Sequence, residues 1–344
     1  MIHIRAAGYA VTGGRDVLTI VDLPTRDPGP GEVRVRIHVS GVNPTDWKSR
    51  NGAIHMPIPD GAVQVPHLDG AGVVDAVGAD VSHVRPGDRV WLWLIAFKRL
   101  EGTAQEFATV PADLVRRLPD SASFELGASL GVPFITAHHA LTLRRGGPRR
   151  LAPGVLDGVT VLVAGGAGAV GNAAIQLAIW AGARVITTVS TEAKVRLARA
   201  AGARHVVGYR DQDAAEQIRR IAPGGVDIVV EVAPAVNVEL DLAVIAQHGE
   251  IVVYANNGGD AVTMPVRSQM AQAVTWRFVL LYSMTADDLD DAVSSIDHAL
   301  GDRALRVGEE FGLPLHHYPL DRIADAHAAV EDAVVGKVLV DVGR

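Results

Sequence analysis

Val159 to Ala178 reads VTVLVAGGAGAVGNAAIQLA, and this stretch decides the fold. It opens as a buried strand through Val159, Val161, Leu162 and Val163. It turns through Gly165, Gly166, Gly168 and Gly171, and closes as a helix whose apolar face carries Ala173, Ala174, Leu177 and Ala178. The pattern Gly166-x-Gly168-x-x-Gly171 lies on the turn. Such glycines permit a tight turn, close approach of backbone to a pyrophosphate, and close packing of helix on strand. The helix N-terminus adds free N–H groups and a partial positive charge. Because a strand precedes the glycines and a helix follows them, the stretch reads as a dinucleotide-binding turn. The competing reading is a packing turn with no ligand.

Downstream the alternation continues. Ala183 to Val189, His205 to Tyr209, Val226 to Val232 and Glu250 to Tyr254 have strand composition, and Phe278 to Tyr282 is a candidate sixth strand. Glu192 to Ala201, Ala214 to Ile221 and Leu240 to Ala246 have helical spacing. Strands alternating with helices predict a parallel sheet covered on both faces, with ligand at the carboxyl ends of the strands. Upstream the style differs. Val17 to Val21, Glu32 to Val39, Ala71 to Gly78 and Glu106 to Val110 are short strands, and Val84 to Trp91 pairs a turn with a further strand; such strands separated by Gly/Pro turns predict a small barrel. Glu125 to Leu130 and Thr136 to Leu143 have helical spacing. At the end of the chain, a helix over Asp321 to Val330 and a strand over Lys337 to Val342 are expected to pack on that barrel. Leu143 to Asp157, rich in Gly, Pro and Arg, reads as a mobile loop whose Arg144, Arg145, Arg149 and Arg150 are solvated. The expected fold class is α/β. A β-barrel domain spans 1–133 and is completed by 284–344; a doubly wound parallel-sheet domain spans 134–283.

The composition excludes several classes. The 344 residues are 48% hydrophobic and 21% charged, with a net charge of −7, the balance of a globular protein with no nucleic-acid or membrane partner. There is no cysteine, hence no disulfide and no thiolate zinc site. No apolar leader or membrane-length apolar run stands out, so a cytoplasmic protein is expected.

Several further segments carry a family likeness. They are Val39-Ser40-Gly41-Val42-Asn43-Pro44-Thr45-Asp46-Trp47-Lys48, Asp69-Gly70-Ala71-Gly72-Val73-Val74, Val84-Arg85-Pro86-Gly87-Asp88-Arg89-Val90, Pro133 to Leu141, and Gly336-Lys337-Val338. In this order, with the glycine turn, the whole chain resembles the medium-chain dehydrogenase/reductase superfamily, on its zinc-independent quinone oxidoreductase side. The resemblance implies a GroES-like catalytic domain, a Rossmann domain, and an active site in the cleft between them. Similar zinc alcohol dehydrogenases have Cys where Asn43 stands, and Gly-His-Glu where His67-Leu68-Asp69 stands, so the ligand histidine is replaced by Leu68. Zinc needs three or four converging ligands, and His67, Asp69 and Glu106 supply too few. His67 then reads as structural or at the edge of the cleft. His138-His139 and His316-His317 lack metal-ligand spacing, and no metal is expected.

An NAD-selective site places Asp or Glu near the end of the second strand to bind the ribose 2′-OH. Here Ser190-Thr191 stand there, with Lys194 one turn on. A hydroxyl and an ammonium suit a 2′-phosphate, although Lys194 also suits a solvated helix face. The resemblance adds Tyr209, with Arg210 beside it. NADPH is therefore the expected cofactor, held by Gly165, Gly168, Ala169, Val170, Gly171, Ser190, Thr191, Lys194, Tyr209, Ala233 and Asn256.

Without a metal, conjugate reduction demands less of the site than direct carbonyl reduction. The resemblance places Asn43 and Thr136 at the nicotinamide. Lys48 either hydrogen-bonds the substrate oxygen and passes a proton or is an ordinary solvated lysine. Enoyl-thioester reductases of the superfamily carry a tyrosine in this region, where Trp47 and Lys48 stand. Trp47, Trp93 and Phe97 either line an apolar pocket or belong to the core, and loops 51–65 and 95–102 shape the pocket. The expected activity is NADPH-dependent reduction of an enone or quinone, with catalytic residues Asn43, Lys48 and Thr136. Two alternatives stand beside it: a biosynthetic reductase whose hydride addition drives cyclisation of a polyene-like intermediate, and a non-catalytic NADPH-binding protein. The expected partners are a small conjugated substrate and a second copy of the chain, paired through Phe278 to Tyr282; a monomer is the alternative.

Overall fold

The computed structural model describes residues 3–54 and 57–343. Met1 and Ile2, at the start of the chain, and His55 and Met56, in the 51–65 loop, lie outside them. Two compact units form: Met1–Val132 with Leu315–Arg344, and Pro133–Pro314. The return to the first unit comes at 315, later than the expected 284.

In the first unit, β1 (His3–Gly8) and β2 (Thr19–Pro24) make an antiparallel pair. β3 (Glu32–Val42) is the organising strand, and its period-two pattern buries Val33, Val35, Ile37 and Val39. It ends in Asn43, whose extended backbone precedes α1 (Pro44–Arg50). Pro44 suits the first helical position, and the Asp46 carboxylate accepts the Asn43 N–H at 2.7 Å. Next come β4 (Asp69–Val77), β5 (Arg89–Leu92), β6 (Phe107–Pro111), β7 (Val115–Arg117) and α2 (Phe124–Thr142). α2 is one helix where the sequence suggested two. Pro133 inside it removes a single rung without ending it.

The second unit alternates β8 (Thr160–Ala164), α3 (Ala169–Trp180), β9 (Arg184–Val189), α4 (Glu192–Ala200), β10 (His205–Gly208), α5 (Ala214–Ile221), β11 (Val226–Glu231), α6 (Pro234–Val244), β12 (Ile245–Val253), α7 (Val266–Gln272) and β13 (Thr275–Phe278), then closes with α8 (Ala286–Gly301). Its strands pair in parallel in the order β10-β9-β8-β11-β12-β13. Leu162, Ile186, Val229 and Ile251 pack with Ile218 and Leu242 in one core cluster. Strand order reverses between β8 and β11, which opens a crevice at their carboxyl ends. β13 begins and ends earlier than the expected 278–282, and Leu281–Ser283 forms a 3-10 turn.

The 143–157 insertion is anchored rather than the free loop its composition suggests, although Arg149 and Arg150 are solvent-exposed as expected. The Nε atoms of Arg149 and Arg150 donate to Asp291 of α8 at 2.8 and 2.6 Å, and Arg144 pairs with Asp227 at 3.3 Å. Leu151 and Leu156 are buried. These contacts, with His138 on Ser295 at 3.0 Å, tie α8 into the second unit and explain the later boundary.

The chain then re-enters the first unit through β14 (Leu315–Pro319), α9 (Ile323–Glu331) and β15 (Lys337–Asp341). The first unit's larger sheet runs β14-β15-β3-β4-β5-β7, with β6 on β3. Among the described residues, no helix is long and apolar enough to cross a membrane.

Candidate functional site

The sequence-predicted cofactor residues collect at the carboxyl edge of the parallel sheet. Gly165 follows β8 with φ +71°, a conformation that favours glycine. A Cβ on Gly171 would lie 2.4 Å from the Gly165 carbonyl oxygen, so this glycine serves the packing of α3 against the turn. Gly168 differs. It is exposed, it caps α3, and a Cβ there would meet only the Gly165 oxygen, at 3.4 Å. The N–H groups of Ala169, Val170 and Gly171 begin α3, and the first intrahelical bond runs from Asn172 to Gly168 at 2.8 Å. These leading donors are free to meet an anion.

The end of β9 carries Ser190 and Thr191. The Thr191 hydroxyl oxygen caps α4 by accepting the Lys194 N–H at 3.3 Å. Ser190 and Lys194 are half-buried, while Glu192 is exposed. Tyr209 is drawn to the same edge, because its N–H donates to the Val189 carbonyl at 3.1 Å. The Arg210 guanidinium lies 5.6 Å from the centre of the Tyr209 ring. Ala233 follows β11, and its N–H donates to the Glu231 carboxylate. Asn256 follows β12, and the N–H of its neighbour Asn257 donates to Val232 O at 3.1 Å.

The expected catalytic residues divide between the units. Asn43 belongs to the first. Thr136 is buried on α2 in the second. Lys48 is half-buried in the last turn of α1, its ammonium 5.8 Å from the centre of the Trp47 ring. No hydrogen bond or ion pair joins it to Asn43 among the described residues. Trp93 is buried, whereas Trp47 and Phe97 are partly exposed.

Around Asn43 lies a cluster that sequence reasoning missed. Asn43 Nδ2 donates to Asp69 Oδ2 at 2.7 Å, and Lys337 Nζ donates to Asn43 Oδ1 at 2.7 Å and to Val42 O at 3.1 Å. Burial pushes the Asp69 carboxyl up and the Lys337 ammonium down; their mutual attraction opposes both shifts. Burial also pushes the Asp46 carboxyl up to about 8, against the hydrogen bond from the Asn43 N–H. A faint signal for Lys337 was present: it is a charge opening a strand whose middle, Val338 to Val340, is apolar.

His67 sits in a chain whose protons can be placed. The Thr103 hydroxyl donates to the Asp69 carbonyl at 2.6 Å, so Ser40, 2.6 Å away, must donate to Thr103. His67 Nδ1 must then donate to Ser40 Oγ at 2.8 Å, and His67 Nε2 accepts from His327 Nε2 at 3.0 Å. Burial holds His67 well below the ordinary imidazole range and pushes His327 down to about 3, so both rings are neutral. The chain ends on a backbone carbonyl, which cannot pass a proton on, and both His67 nitrogens are committed within it.

Comparison with known proteins bears on this arrangement. Residues 29–120 match the family model described as the alcohol dehydrogenase GroES-like domain, and residues 169–297 the one described as zinc-binding dehydrogenase. A quinone oxidoreductase of Sus scrofa is 30% identical over 324 residues, 92% of this chain and 90% of that one. The chain belongs to the medium-chain dehydrogenase/reductase superfamily, in its quinone oxidoreductase-like branch. Two solved structures are also similar to it. A mycobacterial protein complexed with NADPH shares 30% identity at TM-score 0.77, covering 98% of this chain and 99% of its own. An NAD-dependent alcohol dehydrogenase shares 29% at TM-score 0.83, covering 98% and 100%. This medium-chain dehydrogenase/reductase is an oxidoreductase, with the GroES-like and Rossmann parts expected from its sequence.

Proposed function

We propose that the protein is an NADPH-dependent reductase of a conjugated acceptor, an enone or quinone, that works without zinc. The observation that carries this reading is the edge of the parallel sheet. There the free N–H groups of Ala169 to Gly171 sit over an exposed glycine, and Ser190 and Lys194 stand where an NAD-selective site has a carboxylate. The relatives named quinone oxidoreductase, and the NADPH-bound mycobacterial structure, support it.

The residues do not fit a catalytic zinc. Leu68 occupies the position of the ligand histidine, and both His67 nitrogens are bound to Ser40 and His327. No group of three or more His, Cys, Asp or Glu that could hold a metal occurs among the described residues.

NADPH bound there would supply the hydride; the N-terminus of α3 would hold its pyrophosphate, and Ser190 and Lys194 its 2′-phosphate. Asn43 keeps one N–H beyond the one given to Asp69, a donor for an oxygen of the bound ligands. Lys48 supplies a further donor to the acceptor oxygen as its negative charge develops. The protein further assembles as a dimer, two copies pairing along β13, the open edge of the parallel sheet.

The test is oxidation of NADPH and of NADH by the purified protein across quinones, enones and enoyl thioesters, with and without EDTA. NADPH-selective turnover insensitive to EDTA is expected. Alcohol oxidation abolished by EDTA would overturn the zinc-free reading. Tight NADPH binding with no turnover on any acceptor would favour a non-catalytic role.

A further inference from the structure

We infer that Lys337 and Asp69 are positioning residues that hold the Asn43 side-chain amide in one orientation; the inference rests on the reading of Asn43 as a catalytic group. The two ends of an amide are nearly alike in shape, so its orientation is set by its partners. Lys337 can only donate and ionised Asp69 can only accept. The oxygen of Asn43 must therefore face Lys337, and its nitrogen must face Asp69. A flip would press the NH2 group on the ammonium and the carbonyl oxygen on the carboxylate.

The holders are themselves held. Lys337 opens β15 at 2% exposure, and its Nζ also donates to Val42 O, the carbonyl just before Asn43, and lies 3.8 Å from Asp69 Oδ2. Asp69 opens β4 and is fully buried. Its two oxygens accept the Val132 N–H at 3.1 and 3.0 Å. A Cβ on Gly131 would lie 2.0 Å from Asp69 Oδ1, so the carboxylate rests on bare backbone and has no room to turn. Asp46 anchors the main-chain N–H of Asn43 from the other side. Two distant segments thus converge on one amide.

The arrangement also tunes what the amide offers. With its oxygen on an ammonium, the amide is polarised, and its remaining N–H becomes a stronger donor. A buried ion pair rarely stabilises a fold more than apolar packing of the same volume. Orientation and polarisation of Asn43 account for a lysine at a position that apolar packing could otherwise fill.

The test uses full-length protein with Lys337→Met, the charge-balanced double variant Lys337→Met/Asp69→Asn, Asn43→Ala, and Asn43→Ala combined with each. The double variant guards against loss of folding from an unpaired buried carboxylate. Lys337→Met is expected to lower kcat by about 10-fold or more while KM for NADPH holds. On the Asn43→Ala background, the same change should cost nothing further. Additive losses, or a Lys337→Met enzyme with wild-type kcat, would overturn the inference. The second readout needs no turnover. In protein labelled with 15N-asparagine, the Asn43 side-chain NH2 signals should be protected and shifted in wild type, and should collapse toward free-amide values in both Lys337 variants. Unchanged signals in a folded variant would overturn the inference, whereas collapse in a protein that reduces no acceptor would sink only the proposed activity.

Discussion

On the proposed NADPH reading, cofactor choice turns on Lys194. Its ammonium has no ion-pair partner among the described residues, and it lies on the first turns of α4, beyond Ser190. A hydrogen bond to a charged group contributes about 1.5–3 kcal/mol, or roughly 10- to 100-fold in affinity. Lys194→Ala should therefore raise KM for NADPH by about 10-fold or more and leave KM for NADH unchanged. Ser190→Asp should reverse the preference by repelling the 2′-phosphate; steady-state kinetics with both cofactors decide. Three buried histidines, His67, His138 and His327, are expected to weaken the fold in acid. Burial pushes His138 and His327 down to about 3 each, while both titrate near 6.5 once unfolded. Between those values the unfolded chain binds protons that the folded chain refuses, so stability falls as pH drops below about 6.5 and keeps falling toward about 3. Thermal melts from pH 7.5 to 5 should show this slope, and His138→Gln should flatten it. Asn43 was visible in the sequence because it sits in a local motif with Pro44 and Asp46. Lys337 stands in the Gly336-Lys337-Val338 segment, but its grip on Asn43 was not legible, because it lies 294 residues from the amide, and His327 lies 260 from His67. No periodicity reports a contact at that range.

At the scale of elements, the glycine turn separates folding from ligand binding. Gly171→Ala would drive a methyl into the Gly165 carbonyl and Gly166 Cα, at 2.4 and 2.9 Å, with only backbone to give way. An overpacking cost of about 1–3 kcal/mol is expected, seen as a lower Tm. Gly168→Ala meets nothing closer than 3.4 Å, so Tm should hold while NADPH affinity, read by fluorescence titration, falls. A Gly168→Ala protein that binds NADPH like wild type would remove the pyrophosphate from that edge. Most strands and helices of this half, though not α7, were readable because each buries an apolar stripe at its own period. α8 was not. Its buried face, Ala292, Val293, Ile296, Ala299 and Leu300, is diluted by Asp287, Asp288, Asp290 and Asp291. Those acids serve two purposes that composition cannot distinguish from a solvated run: Asp288 completes a capping box with Thr285, and Asp291 receives two arginines. Asp291→Ala should release the 143–157 insertion, and limited trypsin digestion should then cut at Arg149 and Arg150 faster than in wild type. Equal cutting would mean that buried Leu151 and Leu156 hold the segment unaided.

At the scale of the whole molecule, the proposed dimer rests on the open edge of the parallel sheet. Among the described residues, β13 has β12 on one side and no strand on the other. Natural edge strands are usually blunted by charge, proline or a covering element. This one ends in Phe278 at 72% exposure, followed by Leu280 at 58%, with Val266 and Met270 of α7 at 69% and 68%. Scattered single apolar residues need no explanation, but four within one edge segment mark a surface that association would cover. A two-fold axis beside β13 would pair the strand with its own copy, satisfy the unpaired backbone groups, and bury the same patch on both chains. The notion that this edge is apolar was legible in Phe278 to Tyr282, although the strand itself stops at Phe278 and Leu281–Ser283 turns away. Light scattering behind size exclusion, run at micromolar concentration, should give twice the chain mass. Phe278→Asp with Leu280→Asp should give the single mass with an unchanged Tm for the remaining fold, because neither side chain contributes to a buried core. A wild-type chain that runs at single mass across a hundredfold concentration range would show that the edge does not mediate self-association, and the four exposed side chains would then need another occupant.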